Sequence, residues 1–214
     1  MRISKVWNHI REVIWKRAHE KRCAALRKQF SNPGVSILSA NCTGGILYHD
    51  LGLQFRSPTV NLFMRSEDFI KFCENLDHYL SIDEMLECTD LKVIEGRQYP
   101  IAFLGDLTLF LVHYKSIAEA QGKWNARKRR IDKNNLVILN TDREGMTAEL
   151  KDRFEALPYK KVMLCHLPDA AHPSCVYIKG YENEKSVGII TDHVGWKGQR
   201  PIDQFDWVSF LNEG

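Results

Sequence analysis

The feature that most constrains this chain is the length of its apolar runs. "VSIL" (35–38), "LFLV" (109–112), "LVIL" (136–139) and "KVMLC" (161–165) are each of strand size. Segments with apolar residues at helical spacing lie between several of them. Strands alternating with helices predict an α/β fold, because each element must bury its apolar face against the next. No run approaches the length needed to cross a bilayer. The 214 residues suffice for one sizeable core. The expectation is a single mixed-sheet domain flanked by helices over 32–214, preceded by a basic amphipathic helix over 1–31.

In more detail, a buried strand enters "SANCTGGILYHDLG", whose glycine-led part reads as a short helix ending at Gly52. Pro58 makes "FRSPTVNLFM" an extended loop. A helix is expected from Ser66, as N-cap, to Leu80. Residues 91–95 and 99–114 read as strands, the second placing Leu107, Leu109, Leu111 and His113 on one face. Ser116 and Glu119 form a capping box for the next helix. There follow a strand over 136–139, a helix over 147–157, strands over 161–165, 176–181 and 187–191, and a terminal helical segment, "IDQFDWVSFLN".

Charge is distributed unevenly. Residues 1–30 hold nine Lys/Arg against two Glu, a net of +7, although the whole chain carries only +3. Ile3, Val6, Trp7, Ile10, Val13 and Ile14 recur at three-and-four spacing, with Lys5, Arg11, Lys16 and Arg17 largely around the other sides. Such a helix either packs on the core or a second subunit, or lies on an anionic membrane surface. "SNPG" at 31–34 ends it. The start of the chain lacks the continuous apolar segment of a secretory signal. The six cysteines lie scattered, which suits reduced thiols in a cytoplasm. Cys165, His166, His172 and Cys175 match no familiar zinc spacing, so no metal site is expected. Without a broad basic surface, nucleic acid is not an expected partner.

Cys42 stands where a strand gives way to Gly44-Gly45 and a helix. Unpaired backbone N–H groups at a helix start favour a thiolate and stabilise an oxyanion. Equally, free cysteine is among the most buried residue types, so a packing role competes. A base for the thiol is expected at His113, because His49 lies about 10 Å farther along the helix. Downstream, Trp124, Arg127 and Arg130 follow at i, i+3 and i+6 and spread over roughly a third of the helix circumference. Arginine forks suit phosphate or carboxylate, and indole suits a sugar face. A plain solvated basic face is the competing reading.

Three stretches, "SANCTGGILYHDLGLQFRSPTVNLFM", "YPIAFLGDLTLFLVHYKSIAEAQGKWNARKRRI" and "IDQFDWVSFLN", resemble the bacterial domain of unknown function 1919 family. The resemblance spans about Val35 to Asn212. It carries Asn41, Cys42, Gly45, Ser57, Pro58, Asp106, His113, Tyr114, Trp124, Arg127, Arg130 and Asp206 as motif positions. Family members are often labelled exopolysaccharide biosynthesis proteins, which implies work on capsule, exopolysaccharide or lipopolysaccharide precursors. The cysteine block is also similar to a family described as papain-like cysteine peptidases.

The resulting expectation is an enzyme that transfers or removes a substituent on a glycan precursor. Cys42 would be the nucleophile, His113 its base and Asp106 the orienter. Asn41, Gly45, Trp124, Arg127 and Arg130 would bind the glycan or its lipid carrier. The alternatives are a glycosyl- or phosphoglycosyl transferase using a nucleotide sugar, and a non-enzymatic adaptor at the membrane surface. No cofactor is specified by any of these readings.

Overall fold

The structure, a computed structural model, describes residues 2–213. The side chains of Ile3, Lys5 and Val6, three positions of the expected N-terminal pattern, lie outside the described residues. In chain order the helices are α1 (Arg2–Gln29), α2 (Thr43–Leu51), α3 (Ser66–Glu74), α4 (Leu76–Ser81), α5 (Leu91–Ile94), α6 (Ile117–Lys128), α7 (Ala148–Glu155) and α8 (Trp207–Asn212). The strands are β1 (Ser36–Ser39), β2 (Leu86–Glu87), β3 (Ile101–Leu104), β4 (Leu107–Phe110), β5 (Leu136–Thr141), β6 (Lys160–Cys165) and β7 (Cys175–Tyr177).

The expected α/β architecture is present, with the strands divided between two sheets. Four parallel strands run in the order β1-β5-β6-β7, and three antiparallel strands in the order β2-β3-β4. The parallel sheet is covered on both faces, as parallel sheets usually are. Leu38, Ile138 and Met163 point to one side and pack with Phe69, Phe72, Trp124 and Phe154 from α3, α6 and α7. Ile37, Val137, Leu139 and Leu164 point to the other, against Leu47 and Tyr48 of α2 and Trp207, Val208 and Leu211 of α8. Each such side chain taken from water contributes about 1.5–3 kcal/mol, which is why the apolar runs have no solvent-facing positions.

Several element expectations need correction. Residues 91–94 are helical, because the Asp90 carbonyl accepts from the N–H groups of Val93 at 3.0 Å and Ile94 at 3.1 Å. The 99–114 run is a hairpin broken at Gly105 (φ 60°), with Leu104 opposite Leu107 and Ile101 opposite Phe110. Past Phe110 the chain turns, so His113 no longer continues the leucine face. The Ser66–Leu80 helix is divided at Asn75 (φ −123°), and Arg65 rather than Ser66 occupies the N-cap. Ser66 instead donates its hydroxyl to the Arg143 carbonyl at 2.8 Å. Residues 187–191 form no strand; the Val187 N–H is taken by the Asp142 side chain at 2.8 Å.

Candidate functional site

The site follows from where two helices go. After β1 the chain enters α2, which packs on one face of the parallel sheet. After β5 it enters α7, which packs on the opposite face. Neighbouring parallel strands whose helices part in this way leave a crevice at their carboxyl ends, the usual ligand position in open α/β sheets. Here a cleft of ≈ 310 Å³ opens at that point, lined by Asn41, Cys42, Thr141, Arg143 and Glu144 with Phe63, Val112 and Ile190.

Asn41 builds the β1 side. Its side-chain oxygen accepts from the Thr43 N–H at 3.1 Å and the Thr43 hydroxyl at 2.6 Å. Its amide donates to the Thr141 hydroxyl at 3.3 Å, tying the turn to the end of β5. Cys42 is the N-cap of α2, with no side-chain capping bond, and stays half-buried at the cleft wall. A Cβ on Gly44 would lie 2.8 Å from that of Ser39, so only glycine permits this close strand-helix junction. A Cβ on Gly45 would lie 3.2 Å from the Val60 side chain, and Gly45 is not among the residues lining the cleft.

The β5 side is equally fixed. Asp142 is buried; it accepts the His166 N–H at 2.8 Å and that of Val187 at 2.8 Å, and pairs with the His166 ring. Glu144 holds a left-handed backbone (φ 57°), which is unusual for a residue with a side chain and concentrates at functional sites. The turn is pinned by Ser66, whose N–H donates to the Glu144 carbonyl at 3.1 Å. Arg143 pairs with Glu144 at 3.5 Å and also lines an adjoining cleft with Tyr181 and Lys185. The cleft therefore presents a thiol, a carboxylate and a guanidinium. Burial pushes the Cys42 thiol above its ordinary pKa, against the expected thiolate.

The expected triad does not assemble. His113 is exposed and makes no hydrogen bond with Cys42; its neighbour Val112, not His113, lines the cleft. Asp106 precedes β4 and His113 follows it, so the whole strand stands between orienter and base. Asp106 is held instead by Lys71 and, at 2.8 Å, by the Tyr79 hydroxyl.

The expected glycan platform faces inward. Trp124 is 1 % exposed and meets the Phe72 ring edge-on at 5.8 Å, so no sugar reaches its face. Arg127 is buried, donating to the Val60 carbonyl at 3.0 Å and the Tyr114 hydroxyl at 2.7 Å, and stacks over Phe55. Arg130 donates to the Phe55 carbonyl at 3.1 Å. These arginine forks bind the extended 53–60 loop in place of a ligand. Arg143 and Glu144 are not among the residues expected from the sequence, although "NTDREG", which closes a buried strand and runs on past it, is the available signal.

Among the described residues no helix is long and apolar enough to cross a membrane. A protein of Haemophilus influenzae described as uncharacterized is 39 % identical over 188 residues, covering 87 % of this chain and 88 % of the relative. The family model for the domain of unknown function DUF1919 matches residues 14–212, and the chain belongs to that family.

Proposed function

We propose that the protein is an enzyme of cell-surface polysaccharide assembly, acting at the cytoplasmic face of the plasma membrane on a substituent of a glycan precursor. Cys42 is the nucleophile. The observation that carries this reading is a half-buried thiol set at the carboxyl-end crevice of a parallel sheet, in one cleft with Arg143 and Glu144. A thiol raised by burial needs a base. Glu144 is assigned that task in place of His113. The Cys42 sulfur attacks the acyl carbon, its proton passes to the Glu144 carboxylate, and the sugar oxygen leaves with that proton. Water or an acceptor hydroxyl then cleaves the thioester. Arg143 offers a planar fork for an anionic group of the precursor.

The second reading, a transferase using a nucleotide sugar, draws on the same raised thiol. In it Arg143 and the adjoining Lys185 hold the diphosphate and Cys42 only packs. Mass spectrometry of surface polysaccharide from strains carrying Cys42→Ser separates the two. Loss of a substituent with the sugar backbone intact supports the thiol enzyme. An unchanged polysaccharide overturns it, and stabilisation of the purified protein by nucleotide sugars would favour the transferase.

A further inference from the structure

Helix α1 has two halves with different surroundings. At 100° per residue, Trp15, His19, Arg22, Cys23 and Leu26 fall on one side. That side meets the body: the Trp15 indole donates to the Gly195 carbonyl at 3.0 Å, His19 reaches Asp50 at 3.1 Å, and Cys23 and Leu26 join the core. Trp7, Ile10, Val13 and Ile14 fall on the opposite side. They are exposed, Trp7 at 56 % and Ile14 at 45 %. Farther along the same outer sector stand Arg17, Lys21 and Lys28, all exposed and without an ion-pair partner among the described residues.

A second exposed apolar element reaches α1 from far along the chain. The 193–198 loop is fastened to α1 at Trp15, where the His193 ring lies 5.5 Å from the indole and the Gly198 backbone presses against it. It leaves Trp196 68 % exposed and Val194 50 % exposed, beside the exposed Lys197. Val194 also lines a cleft with Tyr181 and Arg200.

We propose that the outer face of α1 docks on anionic lipid bilayers and that the exposed Val194–Trp196 loop, carried beside the helix at Trp15, reaches the same bilayer. Trp7, Ile10, Ile14 and Trp196 enter the interfacial layer, and Arg17, Lys21, Lys28 and Lys197 meet the headgroups. Charge decides between this occupant and a second copy of the chain. Two such faces brought together would oppose like charges, whereas an anionic bilayer complements them. The surface serves the membrane-borne substrate of the preceding reading, but vesicle binding and Cys42 chemistry are measured independently and either can fail alone.

The full chain is sedimented with phosphatidylcholine vesicles and with phosphatidylcholine–phosphatidylglycerol vesicles. Binding is expected only to the anionic vesicles, and it should fall as salt screens the charges. Trp7→Glu and Trp196→Glu should each weaken it by about tenfold, since both insert charge into the apolar layer. Both side chains are exposed, so circular dichroism should show the variants folded. Failure to bind anionic vesicles, equal binding to neutral ones, or a Trp7→Glu, Trp196→Glu double variant that binds like the parent would overturn the proposal. So would a dimer in light scattering that the same substitutions dissolve, because a second copy would then cover the face.

Discussion

At Cys42 two influences oppose each other. The start of α2 favours an anion, but burial in the cleft wall favours the neutral thiol, and burial is the cause that shifts it. Cys175, the other half-buried cysteine, is driven the opposite way: a hydrogen bond from the Cys165 thiol, aided by the Lys151 ammonium, lowers its pKa. Iodoacetamide at neutral pH should therefore alkylate Cys175 before Cys42 in the folded protein, as read by peptide mass spectrometry. Cys42 should catch up as pH rises past the ordinary thiol value. Sequence position located Cys42 at the crevice, because a strand followed by Gly-Gly leaves few alternatives. It could not supply the burial. Arg127 makes the same point, since its spacing fits a ligand fork and a structural clamp equally well. Arg127→Lys should lower stability by about 1–3 kcal/mol in urea unfolding, because a lysine cannot reproduce the stacked fork on Val60 and Tyr114.

Elements were most legible where local chemistry is self-contained. Ser116 caps α6, accepting from the Glu119 N–H at 3.2 Å, and Gly52 closes α2 in the left-handed conformation, as the sequence indicates; the return bond of the expected capping box differs, since the Glu119 carboxylate accepts from the Lys115 N–H at 3.0 Å rather than from Ser116. The hairpin of β3 and β4 was read as one strand, because Gly105-Asp106 interrupts an otherwise continuous apolar alternation. At the β1–α2 junction, Gly44→Ala should cost about 1–3 kcal/mol, since its Cβ would press on Ser39 in a packed site. The connection between β6 and β7 carries a pH-dependent anchor. His172 bridges Asp169 and Asp152, each at 3.0 Å, and these bonds, led by that to Asp152, raise its pKa. A raised histidine stabilises fully below its ordinary value of about 6.5, and the contribution is lost as pH climbs through the folded value. The difference in melting temperature between wild type and His172→Gln should thus be larger at acidic pH than at alkaline pH; a constant difference would exclude the linkage.

At the scale of the whole molecule, the parallel sheet is assembled from distant pieces: Ser36 pairs with Leu136, and the chain between them carries the antiparallel sheet. The expected helix-strand alternation was enough for the fold class. Which strands share a sheet depends on that pairing across the chain, and no local pattern encodes it. The cleft inherits the difficulty, because Cys42 and Glu144 line one cleft only once β1 and β5 are neighbours. The same holds for the attachment of α1, which rests on charges from three regions. Arg200, 5 % exposed, donates to Asp50 at 2.6 Å and to Asp203 at 2.7 Å; Arg22 also pairs with Asp203, and His19 with Asp50. Removing the central cation leaves the buried Asp50 and the half-buried Asp203 without their main partner. Arg200→Met should accordingly cost about 3–5 kcal/mol, as breaking a buried pair does. By contrast, Lys133→Ala at the exposed Asp77 pair should change stability by under about 1 kcal/mol. Because Asp50 lies on α2, Asp203 precedes α8 and Arg22 lies on α1, the loss should also loosen the N-terminal helix from the body. Limited proteolysis would then cut α1 in Arg200→Met at protease levels that leave the parent intact. If Arg200→Met unfolds at the same urea concentration as the parent and resists the protease equally, the buried charges do not hold the helix, and its attachment rests on other contacts, among them Trp15, Cys23, Leu26 and the Arg27 bonds to the Asp50 and His49 carbonyls.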